Sequence, residues 1–119
     1  MVEIISVDGE NIIGCRIEGK IDTDDINKLK SITEEKLKNK KKLRVYVEVI
    51  NLGGISFEAF FEDLKLAFRH YSDFEKKAVV TNYEWVKKIT PITNRIFRGV
   101  ETKCFSFEEK DDAIKWLKL

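Results

Sequence analysis

Apolar and polar residues alternate along two short stretches at the start of the chain, Glu3 to Val7 and Ile12 to Glu18. They flank Asp8-Gly9-Glu10-Asn11, whose Asp-Gly step favours a tight turn with positive φ, so the chain is expected to open with a β-hairpin. After Gly19 the period changes. Asp22-Thr23-Asp24-Asp25 offers an N-cap and early negative charge, and Ile26, Leu29, Ile32 and Leu37 follow at helical spacing. This helix runs into Lys36, Lys38, Lys40, Lys41 and Lys42, cations that suit the negative end of its dipole. Strict alternation returns from Leu43 to Ile50, with Leu43, Val45, Val47 and Val49 on one side and Arg44, Tyr46, Glu48 and Ile50 on the other. That strand, like Ile13, Cys15 and Ile17 against Arg16 and Glu18, predicts a sheet covered by helices mainly on one face.

The rest of the chain continues the βα alternation. Ser56 is placed to cap a helix to about Tyr71, with Phe57, Phe60, Phe61, Leu64 and Phe68 on one stripe. Lys76 to Thr81 reads as a strand whose apolar Ala78-Val79-Val80 centre suggests a central position. Residues 83 to 97 read as two short helices meeting at Thr90-Pro91, because proline is tolerated at a first helical position. Glu101 to Phe105 is a last strand, and Ser106 with Glu109 has capping-box spacing before Ala113, Ile114 and Leu117. The predicted class is α/β: a five-stranded mixed sheet in the order β-β-α-β-α-β-α-β-α, with right-handed crossovers between parallel strands.

Composition narrows the function classes. With 119 residues, 43% hydrophobic and 36% charged, the chain is large enough for one complete core and is expected to form one domain over residues 1–119. A net charge of +1 disfavours nucleic acid as a partner. The N-terminus lacks a signal-like apolar run, which points to the cytoplasm. Cys15 and Cys104 sit inside strands without redox or metal spacing and are expected to be reduced, mostly buried thiols.

Catalysis is hard to assemble, and no catalytic residue, cofactor or metal is expected. His70 is the single histidine, placed in a last helical turn where a cation suits the dipole. The carboxylates Asp22, Asp24 and Asp25 look like capping charges. Asn51-Leu52-Gly53-Gly54-Ile55-Ser56 joins a strand to a helix but lacks a P-loop or dinucleotide spacing. More suggestive is the excess of large apolar groups on two neighbouring stretches: Phe57, Phe60, Phe61, Leu64 and Phe68, then Trp85, Val86, Ile89, Ile92, Ile96 and Phe97. Core packing explains each singly; together they outline a site for an apolar or lipid-like small molecule. The second stretch also carries Lys87, Lys88, Arg95 and Arg98 against Glu84 alone, a pattern that suits peripheral contact with an anionic membrane.

Phe61-Glu62-Asp63-Leu64-Lys65, Arg69-His70 and Asp73-Phe74-Glu75-Lys76-Lys77-Ala78-Val79-Val80, followed by Trp85, resemble the SpoIIAA-like family of small STAS-type domains related to the CRAL-TRIO lipid-binding fold. The opening hairpin ending at Gly19, Val47-Glu48 at a strand centre, and a closing helix with Ala113 and Trp116-Leu117 extend the resemblance over nearly the whole chain. It implies a right-handed β-α superhelix, homodimers or higher oligomers, and binding of apolar ligands or membranes without catalysis. Better-known STAS relatives antagonise anti-sigma factors, which makes a regulatory protein-protein interaction module the alternative. Those relatives are switched by phosphorylation of a serine in an Asp-Ser motif. That motif is absent here, and Ser56 is the nearest hydroxyl.

Overall fold

In the computed structural model, which describes residues 1–9, 11–38, 42–51, 74–82 and 101–119, the opening hairpin forms as expected. Strands β1 (Val2–Ile5) and β2 (Ile12–Glu18) pair antiparallel, Val2 opposite Ile17 and Ile5 opposite Gly14. Gly9 takes a φ of 142°, a conformation that L side chains rarely adopt. Gly14 is needed for a different reason: a Cβ there would come within 2.6 Å of the Ile5 carbonyl oxygen and a Val7 methyl. Strand β1 stops at Ile5, and Val7 packs instead beside Ile12.

Helix α1 (Thr23–Leu37) starts where its acidic cluster predicts. The Asp25 N–H donates to Asp22 Oδ1 at 2.8 Å and the Asp22 N–H donates to Asp25 Oδ2 at 3.1 Å, a reciprocal capping box. The other Asp25 oxygen accepts the Val2 N–H at 3.0 Å, which ties the helix start to β1. Burial pushes the Asp25 carboxyl up, yet these hydrogen bonds outweigh it and hold it below its ordinary value.

Strands β3 (Leu43–Asn51), β4 (Phe74–Val80) and β5 (Glu101–Phe105) complete a five-stranded sheet in the order β1-β2-β3-β4-β5. All pairs after the first are parallel, so the sheet is mixed, as its pattern predicts. The middle place belongs to β3, and β4 is interior between β3 and β5. A single 3₁₀ turn (Phe107–Glu109) leads into helix α2 (Lys110–Lys118). The expected Ser106–Glu109 box is present: Glu109 Oε1 accepts the Ser106 N–H at 3.0 Å.

The cover of the sheet departs from expectation. Val45, Val47 and Val49 of β3 pack with Leu29 of α1, and Ile26 and Ile32 close around them. The opposite face carries α2, where Ala113 and Leu117 bury Tyr46, Ala78, Val80 and Phe105. The two described helices therefore lie on opposite faces, and Tyr46 and Glu48, expected on an uncovered side, are only 2% and 3% exposed. The cause lies in α2: its Ala113, Leu117 and Trp116 stripe requires an apolar surface, and the alternate face of β3 to β5 supplies it. Sheet cations fasten the far end of α2. Arg44 donates to the Leu117 carbonyl, and Lys76 Nζ reaches the Trp116 carbonyl at 3.2 Å, placing positive charge at the negative end of the helix.

Candidate functional site

Strands β2 to β5 end on a common rim, at Glu18, Asn51, Val80 and Phe105. In open α/β sheets ligands gather at this side of the strands. Here the rim is stitched together. The Thr81 N–H donates to Phe105 O at 2.9 Å, Thr81 Oγ1 to Val49 O at 3.2 Å, and the Phe107 N–H to Asn82 Oδ1 at 3.3 Å.

One turn of strand inside the rim, on the α2 face, stands Glu48. Register places Glu3, Arg16 and Glu48 side by side across β1, β2 and β3. Arg16 Nε–H donates to Glu48 Oε2 at 2.8 Å, and its Nη1 lies 3.5 Å from Glu3 Oε2. Tyr46 Oη–H donates to Glu48 Oε1 at 2.8 Å, and Lys110 Nζ, from the first turn of α2, lies 3.4 Å from the same oxygen. Burial alone would push the Glu48 carboxyl up, but the hydrogen bonds from Arg16 and Tyr46 and the Lys110 charge hold it below its ordinary value. Burial first, then the hydrogen bond to Glu48 and its charge, raise the Tyr46 hydroxyl, and the bond to Glu48 raises the Arg16 guanidinium. Glu48 is thus a buried, ionised anchor. Its cationic partners remain partly in solvent, with side chains 37% exposed at Arg16 and 42% at Lys110.

A carboxylate in this state has no proton to give, and both oxygens are engaged. Among the described residues no group of three or more histidine, cysteine, aspartate or glutamate side chains could hold a metal ion. On the other face, burial pushes the Cys15 thiol up to about 12, which leaves it un-ionised and inert. Cys104 stands on β5, three strand spacings or about 14 Å from β2, too far for a disulfide with Cys15. Half-buried Lys77, opposite Thr102 on the neighbouring strand β4, has its ammonium pulled down to about 8 by desolvation.

The residues singled out from sequence do not include this cluster. Phe57, Phe60, Phe61, Leu64 and Phe68, Trp85, Ile89, Ile92 and Phe97, the cations Lys87, Lys88, Arg95 and Arg98, and Ser56 and His70 all lie outside the described residues. Chain connectivity gives one link: residues 52–73 follow the end of β3 and residues 83–100 follow Asn82, so both depart from the rim beside Glu48. Alternation puts Arg16 and Glu48 on polar strand faces with opposite charge, but it marks that face as uncovered and so does not reveal the buried cluster. No described helix is long and apolar enough to cross a membrane.

A mixed sheet with a leading hairpin, parallel βα units and helices on its faces defines a small α/β domain of STAS-like architecture. The family model described as SpoIIAA-like matches residues 12–118, and the chain belongs to that family. Among solved structures, the chain is similar to an uncharacterized protein with a SpoIIAA-like fold from Shewanella loihica PV-4. The two are 24% identical with a TM-score of 0.69, over 98% of this chain and 92% of the other. No curated protein matches the chain.

Proposed function

We propose that the chain is a non-enzymatic regulatory module that binds a protein partner at the rim of its parallel strands, with Arg16 and Lys110 as contact residues. One observation carries this reading: a buried, ionised Glu48 fixes two cations whose outer surfaces stay in solvent. Long basic side chains ordinarily lose rotamer freedom on binding, and fixing them beforehand reduces that cost. An Arg-Lys pair set around one anchor suits an acidic surface, with guanidinium geometry favouring carboxylates. Membership of the SpoIIAA-like family supports a STAS-type module and agrees with an interaction role.

Affinity purification of the tagged chain from its native cells, beside an Arg16→Ala/Lys110→Ala variant with unchanged circular dichroism, tests the reading. A stoichiometric protein held by the first and lost from the second supports it. Equal retention by both overturns it. So does native mass spectrometry showing a bound lipid and no protein partner, which would favour the apolar site outlined by Phe60, Phe61 and Trp85.

A further inference from the structure

We propose that the outer edge of β1, with the groove between it and α1, takes an extended basic segment of a partner protein as a sixth strand. Three observations converge there.

The first is the strand edge. In an antiparallel pair, bonded and non-bonded positions alternate. The Glu18 N–H donates to Met1 O at 2.8 Å, so Val2 and Ile4 are the residues whose backbone groups point away from β2. Asp25 already takes the Val2 N–H. Ile4 keeps an outward N–H and C=O with no hydrogen-bond partner among the described residues, and it is 39% exposed. An incoming extended residue opposite Ile4 satisfies both groups, which is how peptides join sheet edges. The sheet's other edge, β5, carries exposed Glu101 and Lys103, the charges that natural edges use against pairing.

The second is room. Beside β1 lies an open groove of about 620 Å³, floored by Ile4 and Ile32, where the small Ser31 leaves space. Residues directly opposed on neighbouring strands share a face, so the side chain opposite Ile4 enters the groove, and its floor selects an apolar one. The residues two before and two after it in the segment face the same way. Strand β1 has only four residues and its Val2 donor is taken, so the ladder suits a segment of about five residues.

The third is charge. Asp24 bounds the groove at the start of α1 and Glu35 bounds it near the end, and neither has an ion-pair partner among the described residues. Lys28, between them, already lies 4.0 Å from Asp25 Oδ1. The charge left to an incoming segment is therefore negative at both ends. Along the helix axis Asp24 and Glu35 stand about 16 Å apart, and residues two before and two after the central one stand about 13 Å apart in an extended chain. Lysine or arginine at those two places spans the difference and meets both carboxylates. The segment thus reads basic, any, apolar, any, basic, a pattern identical in either strand direction. The groove opens on the α1 face, opposite Arg16 and Lys110, and does not depend on the rim reading.

Fluorescence anisotropy with the dye-labelled peptide Ser-Arg-Thr-Val-Thr-Arg-Ser tests it. The wild-type chain, and equally the Arg16→Ala/Lys110→Ala variant, binds this peptide with a Kd of about 100 μM. A peptide with glutamate in place of both arginines binds about tenfold more weakly or not at all, because two attractions are lost. Methylation of the central valine's amide nitrogen, which removes the bond to the Ile4 carbonyl and leaves the charge alone, also weakens binding about tenfold. The Asp24→Lys/Glu35→Lys variant, its fold checked by melting temperature, prefers the glutamate peptide. Both peptide changes are read on the wild-type chain, so the test stands even if that variant does not fold. No binding of the arginine peptide, equal binding of the glutamate peptide, or no loss on amide methylation overturns the proposal. Hydrogen exchange at the Ile4 amide that slows with protein concentration in the absence of peptide assigns the edge to a second copy and overturns it too.

Discussion

The two faces of the sheet draw on the same strands and solve burial differently. On the α1 face, Val45, Val47 and Val49 meet Ile13, Cys15, Ile17 and Leu29, an almost wholly aliphatic contact whose stability comes from removing apolar surface from water. On the α2 face, the alternate residues of the same strand include Tyr46 and Glu48, equally buried, and a charge is kept inside by three donors. Burial of that kind adds little net stability, since the cost of desolvating the ions offsets their attraction. What it does add is fixed geometry. The aliphatic face holds the sheet together; the charged face positions Arg16 and Lys110 at the surface.

The comparison breaks most visibly at Leu29. It is fully buried, and Leu29→Ala should cost about 3 kcal/mol in denaturant unfolding with no change of slope against pH between neutral and acid, because its cluster is aliphatic apart from Phe74 and the Cys15 thiol, which stays neutral there. A smaller loss, about 2 kcal/mol, is expected for Gly14→Ala, since the new methyl must displace the Ile5 carbonyl or the Val7 side chain.

Glu48→Gln separates the faces by mechanism. The amide keeps the shape but donates where it should accept, and a loss of about 1–2 kcal/mol at neutral pH should follow. The sign with pH is definite. Because the folded carboxyl titrates below its unfolded counterpart, its stabilisation is present above the ordinary glutamate range and disappears as pH falls through that range to the group's own lower value. Unfolding free energy measured between neutral pH and pH ~3 should therefore fall less steeply in Glu48→Gln than in wild type. Asp25, also lowered, leaves a residual slope. At the small end, Lys118→Ala removes only an exposed pair with Asp8 at 3.4 Å and should change stability by less than about 0.5 kcal/mol.

Much of the fold was legible from the chain alone because its determinants are local. Period-two alternation marked the strands, Asp8-Gly9 marked the hairpin turn, and the Asp22–Asp25 and Ser106–Glu109 spacings marked two helix starts. Glu48 was not legible in the same way. Alternation assigns a glutamate to the solvent side, and only α2, which closes over that face from the far end of the chain, together with Arg16 on the preceding strand, makes its burial possible. The eight residues Leu43 to Ile50 therefore read correctly as a strand, while the face of Tyr46 and Glu48, read as uncovered, is buried. The aromatic stretches gave the opposite problem: helical spacing shows which residues share a stripe, but a packed core and a ligand chamber have the same stripe.

Carboxyl carbon NMR during a pH titration, with Glu48 assigned by its loss in Glu48→Gln, tests most directly whether this face is a fixed ionic anchor. A midpoint below that of the exposed glutamates, unchanged until the protein unfolds in acid, is the expected result. A midpoint above them would mean that burial outweighs Arg16, Tyr46 and Lys110, leaving a carboxyl poised to exchange protons and contradicting a purely positional role for the cluster.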